Sequence, residues 1–321
     1  MRLLKMMLIV LLATSSWLTL ASSPCSGACK ASFDEDVNLM QLRSSVNHTD
    51  TLRQRELRNV AFNHFWSSAR FSTADIMDGC SAILFDVGAN RGTHVRKLFE
   101  PAKYPNATVL KHYDEVFGSA EYRSKPFAET RLCAYGFEPN PRFAQILNDV
   151  EKSYTDMKWR VKFLSVAVWS DDRKTIPFQT ESNPGSSDWA SHVADPSISS
   201  STGNITEVPA LNLPSFVQRV LQNRMGDGKV LMKMDIEGSE FQILPRMLEG
   251  HLLCTGKIDY FLAEWHERFL SAKDLPAGAA LKDKVLQGQA SMCSGVAATK
   301  AVMFDDESYL LDGQPLPTPA N

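Results

Sequence analysis

The sequence has no excess of basic residues. Its 34 lysines and arginines face 37 aspartates and glutamates, a net charge of −3, and no run of Lys or Arg is interleaved with aromatics. Nucleic acid is therefore not the expected partner. There is no CxxC pair and no Cys/His spacing of the kind that folds around zinc. There is no internal repeat, which excludes a solenoid or propeller. The apolar run at the N-terminus is shorter than the roughly 20 residues a membrane-spanning helix needs. The dinucleotide-binding fingerprint is incomplete as well: after Gly88, Asn90 and Thr93 stand where glycines are required.

The chain has 321 residues, 44% hydrophobic and 22% charged, enough to bury a sizeable core. Arg2 and Lys5 precede the apolar run Met6–Ala13, followed by Thr14, Ser15 and Ser16, then Trp17–Ala21, then Ser22 and Ser23. Residues 1–23 therefore read as a secretory signal peptide, with an uncleaved single membrane anchor as the alternative. Asn47, Asn106 and Asn204 each begin an Asn-x-Thr glycosylation triplet. The six cysteines suit disulfides in an oxidising compartment. Cys80 and Cys133 each lie just before an expected strand. If those strands are parallel neighbours about 4.8 Å apart, the two cysteines meet within disulfide range. Cys254 and Cys293 are the second expected pair.

Residues 24–50 are polar and read as a stem or linker. Thr51 and Gln54 form a capping-box pattern, and apolar residues at Leu57, Val60 and Phe65 predict a helix over 51–68. Strands and helices then alternate through a catalytic domain spanning 51–312. The strands are Ile83–Asp86, Ala134–Glu138, Val161–Trp169, Val230–Asp235 and Ile258–Glu264. The helices lie near 93–100, 141–152, 214–224 and 239–248. Such alternation implies βαβ units and a parallel sheet. Residues 101–131 read as a polar insertion and 181–207 as a long loop. Residues 301–304 and 309–311 read as a C-terminal hairpin, and 313–321 as a disordered tail.

Four of the apolar runs end in an acid: Asp86, Glu138, Asp235 and Glu264. In an open parallel sheet, ligands bind beyond the carboxyl ends of the strands, so these four acids are expected around one crevice. The turn Gly88-Ala89-Asn90-Arg91-Gly92 follows the first. Gly88 permits a close backbone approach, Asn90 tolerates a left-handed conformation, and Gly92 opens the next helix. Glu138 is placed to accept both hydroxyls of a ribose. Lys233, Asp235 and Glu237 alternate, so they share a face if the strand continues. Lys233 either neutralises Asp235 or takes part in chemistry. Glu264 and His266 close another strand.

Asp86-Val87-Gly88-Ala89-Asn90-Arg91-Gly92, Gly136-Phe137-Glu138-Pro139-Asn140-Pro141, Ala167-Val168-Trp169-Ser170-Asp171-Asp172 and Lys233-Met234-Asp235-Ile236-Glu237-Gly238-Ser239-Glu240 together resemble the FkbM family of methyltransferases. The resemblance implies an α/β, Rossmann-like class I methyltransferase fold: a mostly parallel doubly wound sheet with a C-terminal antiparallel hairpin. It implies S-adenosyl-L-methionine as methyl donor and O-methylation of a small-molecule or glycan hydroxyl. By position, Asp86, Gly88, Asn90 and Gly92 fall on the methionine side of the donor, Glu138 on the ribose, and Ala167 and Asp171 near the adenine. Trp169 departs from the expected small residue. For catalysis, His266 is the first choice of general base because its ordinary pKa lies near operating pH, with Asp235 second. Glu237, Lys233 and Glu264 complete the catalytic set. No metal is assigned, although Asp235, Glu237 and Glu264 offer oxygen ligands to a divalent cation. With the N-terminus, this implies an enzyme of the secretory pathway, Golgi-resident or secreted. Two rival readings are a luminal glycosyltransferase and a non-catalytic secreted binding protein on the same scaffold.

Overall fold

Strands covered on both faces show unbroken apolar runs rather than alternation, and the computed structural model gathers these runs into one sheet. It describes residues 75–180, 191–194, 204–288, 293, 295–305 and 313–319. The signal or anchor segment, the stem, Asn47 and the helix expected over 51–68 lie outside the described residues. In chain order the elements are β1 (Ala82–Val87), α1 (Thr93–Phe99), α2 (Leu110–Phe117), α3 (Ala120–Arg123), α4 (Phe127–Thr130), β2 (Leu132–Phe137), α5 (Ala144–Asp156), β3 (Arg160–Leu164), β4 (Ala167–Trp169), β5 (Thr175–Thr180), β6 (His192–Val193), β7 (Asn204–Asn212), α6 (Leu213–Gln222), β8 (Val230–Met234), α7 (Glu240–Glu249), β9 (Tyr260–Ala263), α8 (Leu275–Leu286) and β10 (Lys300–Met303).

The main sheet has the order β10-β9-β8-β1-β2-β3, and every pairing is parallel. The chain runs outward from β1 through β2 to β3, then returns to the other side of β1 as β8. The order therefore reverses between β1 and β8, which creates a crevice at their carboxyl ends. One face of the sheet packs on α6 and α7 through Phe216, Val217, Ile243, Leu244 and Met247. The other packs on α1, α2 and α5 through Val95, Leu98, Tyr113, Val150 and Tyr154. At about 1.5–3 kcal/mol per buried large apolar side chain, these two layers are the main stabilising term.

Several expectations need correction. Val161–Trp169 is not one strand. The chain turns at Ser165, where Val166 N–H bonds the Leu164 carbonyl at 2.9 Å, and β4 leaves for a second, four-stranded sheet of order β4-β7-β5-β6. Parts of the supposed loop 181–207 are thus strand, while 181–190 and 195–203 lie outside the described residues. The supposed insertion 101–131 contains α2, α3 and α4. Residues 300–303 form β10, which pairs in parallel with β9; the second arm of the expected hairpin, 309–311, lies outside the described residues. The tail is not free: Arg96 donates to the Gln314 and Pro315 carbonyls, each at 3.0 Å, and Ser153 donates to the Pro317 carbonyl at 2.6 Å.

Both expected disulfides are present, Cys80–Cys133 and Cys254–Cys293, each with a Cα separation of 5.7 Å. The first follows from the register: Ala82 of β1 lies opposite Leu132 of β2, so the residues just before both strands share one edge. Asn106 and Asn204 are exposed. Among the described residues, no helix is long and apolar enough to cross a membrane.

Candidate functional site

The parallel register brings the strand ends level. Val87 lies opposite both Phe137 and Met234, and Met234 lies opposite Ala263. The residues that follow leave the sheet side by side. Asp235 N–H bonds the Val87 carbonyl at 3.0 Å, Glu264 N–H bonds Met234 at 3.0 Å, and Gly88 N–H bonds Phe137 at 3.1 Å. Above them is a cleft of about 320 Å³. Gly88, Ala89 and Asn90 line one wall, and Glu138 and Pro139 the next. Lys233, Asp235, Glu237 and Glu264 line another. The second sheet closes the remaining side with Ala167, Val168, Phe178 and Val193.

Gly88 lines the cleft and is also required by packing. Its φ is +82°, and a Cβ there would lie 1.8 Å from the Asp235 carbonyl oxygen. The glycine lets the β1 and β8 loops touch. Asn90 takes the left-handed conformation expected of it, φ 48°. That turn points its N–H at Glu138 Oε2, 2.7 Å away, while Asn140 N–H bonds Oε1 at 2.8 Å. Glu138 is thereby fixed at the cleft with both oxygens still able to accept. Burial, only partly offset by these two N–H bonds, pushes its pKa up to about 7.

Asp86, Gly92 and Asp171 do not line the cleft. Asp86 is fully buried beneath it, and burial, partly offset by the Lys233 charge, raises its pKa to about 6. Gly92 sits at the N-cap of α1 against Phe163 and Leu147. Asp171 turns outward into a bidentate pair with Arg173, both contacts at 2.8 Å; those hydrogen bonds lower its pKa.

On the opposite wall, β8 ends at Met234, so Lys233, Asp235 and Glu237 do not continue on one strand face. Glu237 instead adopts φ 51°, and the turn still brings it beside Asp235. Lys233 donates to the Gly88 carbonyl at 2.9 Å and to Asp235 Oδ2 at 3.1 Å, with Asp86 Oδ1 at 3.6 Å. Burial acts against its charge, but Asp235 and Asp86 outweigh it and raise the pKa above the usual lysine value. Lys233 is therefore a counterion that cannot accept a proton.

His266 is buried among carboxylates. Nδ1 lies 2.8 Å from Glu240 Oε1, and Nε2 lies 3.1 Å from Glu264, 3.5 Å from Glu237 and 3.8 Å from Asp235. Burial opposes its charge, yet the close approach of Glu240 and Glu264 and the charge of Glu237 prevail, pushing its pKa up to about 11. A raised pKa argues against His266 as the general base. Glu237 moves the other way, up to about 7, chiefly through burial. Asp235, Glu237 and His266 present ligand atoms within 4.8 Å of one another, a group able to hold a metal ion.

Three residues were not foreseen. Glu240 anchors His266, but in the sequence it reads as an ordinary first-turn helix acid. His94 lines the cleft from the first turn of α1; burial, then the Lys233 and Lys97 charges, hold its pKa well below the usual histidine value. Its place two residues after Gly92 was the available signal. His192 lines the cleft from β6, a two-residue strand with no legible pattern.

The family model of the methyltransferase FkbM domain matches residues 86–276, more than half of the chain and all four strand-end acids. A solved structure of a methyltransferase FkbM from Methylobacillus flagellatus KT aligns at 16% sequence identity, over 58% of this chain and 34% of that one, with a TM-score of 0.28. The chain thus spans about a third of that protein's length. No curated protein matches the sequence.

Proposed function

Because the chain belongs to the FkbM methyltransferase family, we propose that it is an S-adenosylmethionine-dependent O-methyltransferase acting in the secretory pathway on a hydroxyl of a glycan or other small polar acceptor. The donor assignment rests on Glu138. Two backbone N–H groups fix its carboxylate, and each oxygen keeps a lone pair for one ribose hydroxyl. The cleft fits such a ligand in other respects. Buried polar atoms of Asn90, Thr93, His94, Ser191 and Ser239 have no hydrogen-bond partner, and all five residues line it. Such atoms are costly unless a ligand or water satisfies them. Its volume suits a small molecule.

When bound, S-adenosylmethionine supplies a methyl group made electrophilic by a sulfonium cation. The chain's own residues bind and orient. Gly88, Asn90 and Thr93 hold the methionine portion, Glu138 the ribose, and Ala167 and Val168 the apolar face of the adenine. Asp86 and Gly92 act at one remove, Asp86 through Lys233 and Gly92 by opening α1. Asp235, Glu237 and Glu264 give the opposite wall the negative charge that suits a sulfonium. With Lys233 and His266 both protonated, Asp235 is the proton acceptor for the acceptor hydroxyl. Most of the rate enhancement comes from positioning. The two disulfides and the exposed Asn106 and Asn204 support the secretory assignment. Incubation with labelled S-adenosylmethionine and a glycan panel tests the reading: one added methyl on one glycan is expected, abolished in Asp235→Asn. Absence of transfer to any hydroxyl acceptor by a donor-binding protein refutes the O-methyl assignment.

A further inference from the structure

Carboxylates clustered in a cleft are common, but the histidine among these is 2% exposed and held from behind. Its Nδ1 faces Glu240 Oε1 at 2.8 Å. Glu240 is fully buried and cannot swing away, because Oε1 also accepts from Ile236 N–H at 3.0 Å and Oε2 from Gly238 N–H at 2.9 Å. The ring is therefore locked with Nδ1 toward Glu240 and Nε2 toward Asp235, Glu237 and Glu264. Three carboxylates surround Nε2, yet it has no hydrogen-bond partner of acceptable geometry. A histidine whose one nitrogen is tied to a buried carboxylate while the other points at acidic oxygens has the arrangement of a metal ligand with its supporting shell.

We propose that Asp235, Glu237 and His266 bind a divalent transition-metal cation, which displaces the Nε2 proton to solvent, with Glu240 as the positioning residue for His266. Their ligand atoms lie within 4.8 Å of one another, close enough for one ion with bonds of roughly 2.0–2.2 Å. One imidazole with carboxylates favours manganese, iron or zinc over magnesium or calcium, whose preference is for oxygen alone. Asp235 and Glu237 line the cleft, so the ion's remaining positions face the acceptor, whose hydroxyl it orients and acidifies. That role rests on the methyl-transfer reading; the cation site does not.

The test is titration of the full secreted chain with manganese(II) without donor, following the free-ion electron paramagnetic resonance signal. Electron spin-echo measurements on the bound ion then look for nitrogen-14 coupling. One ion per chain with nitrogen coupling is expected. His266→Gln should lose the coupling and weaken binding at least tenfold, and Glu240→Gln should keep the coupling but weaken binding about 10–100-fold. Should the His266 variant not fold, the coupling in the unaltered protein decides. Calorimetry with S-adenosylmethionine on the same samples separates the two readings. A protein that binds the donor but no manganese, or that binds manganese without nitrogen coupling, overturns the cation site alone. A protein that binds manganese with coupling but no donor leaves the site standing and removes the methyl-transfer reading.

Discussion

Replacing Lys233 by Met should destabilise the protein in a way that depends on pH. Methionine keeps most of the apolar stem, so the change chiefly removes the ammonium. Asp86 then loses its counterion at 3.6 Å, and both its oxygens are buried without a hydrogen-bond partner. Breaking a buried pair in this way typically costs about 3–5 kcal/mol. An upper bound comes from the alternative open to Asp86, which is to take up a proton. In the unaltered protein Asp86 ionises only above about pH 6, so holding it protonated costs about 1.4 kcal/mol for each pH unit above that, about 2 kcal/mol at pH 7.5 and almost nothing at pH 5.0. Lys233→Met should therefore lose up to about 2 kcal/mol at pH 7.5 and almost nothing at pH 5.0, measured by urea unfolding followed through tryptophan fluorescence. Adding Asp86→Asn should recover roughly half of the loss at pH 7.5, because no buried charge is then left unpaired. A loss below about 1 kcal/mol, an equal loss at both pH values, or strict additivity of the two substitutions would refute the counterion role.

Other consequences are equally open to measurement. Gly88→Ala combines a left-handed φ with an overlap at the Asp235 carbonyl and should cost about 2–5 kcal/mol of unfolding free energy; a variant of normal stability contradicts the close approach of the two loops. Donor affinity should rise about tenfold from pH 6 to pH 8, because Glu138, raised to about 7, must ionise to accept both hydroxyls; calorimetry on Glu138→Gln should show a flat profile. For the free protein the sign is opposite. Glu138, Asp86 and Glu237 have raised folded pKa values, so the stability they contribute is complete below their ordinary values near pH 4 and is lost as pH rises through 6–7. Thermal melts should show Tm falling from pH 5 to pH 8. Cys80→Ser with Cys133→Ser opens a loop with a sequence separation of 53 and should cost up to about 4 kcal/mol; a change within error in urea unfolding contradicts that.

The strands of the main sheet were legible because burial on both faces leaves an apolar run that stops abruptly at an acid, as at Asp86, Asp235 and Glu264. The Cys80–Cys133 disulfide followed from the same expectation of adjacent parallel strands. The second sheet was not legible. β4 and β6 are three and two residues long, and β7 begins with four exposed residues, so neither an apolar run nor clean alternation marks them. The run Val161–Trp169 hides the break at Ser165 because apolar residues continue across it. At the site, residue identities were visible but protonation states were not. His266 alone suggests a base of ordinary pKa; only the folded chain places Glu240, Glu237 and Glu264 around it and keeps it charged. Glu240 carried no signal because a first-turn acid is unremarkable.

Calorimetric titration of S-adenosylmethionine into the unaltered protein and Glu138→Ala tests the central claim most directly. The account predicts one donor per chain for the unaltered protein. It predicts binding weaker by about 100-fold or more in the variant, since two charge-assisted hydrogen bonds to the ribose are lost. Equal donor affinity in a folded variant, or no binding to the unaltered protein, would contradict it.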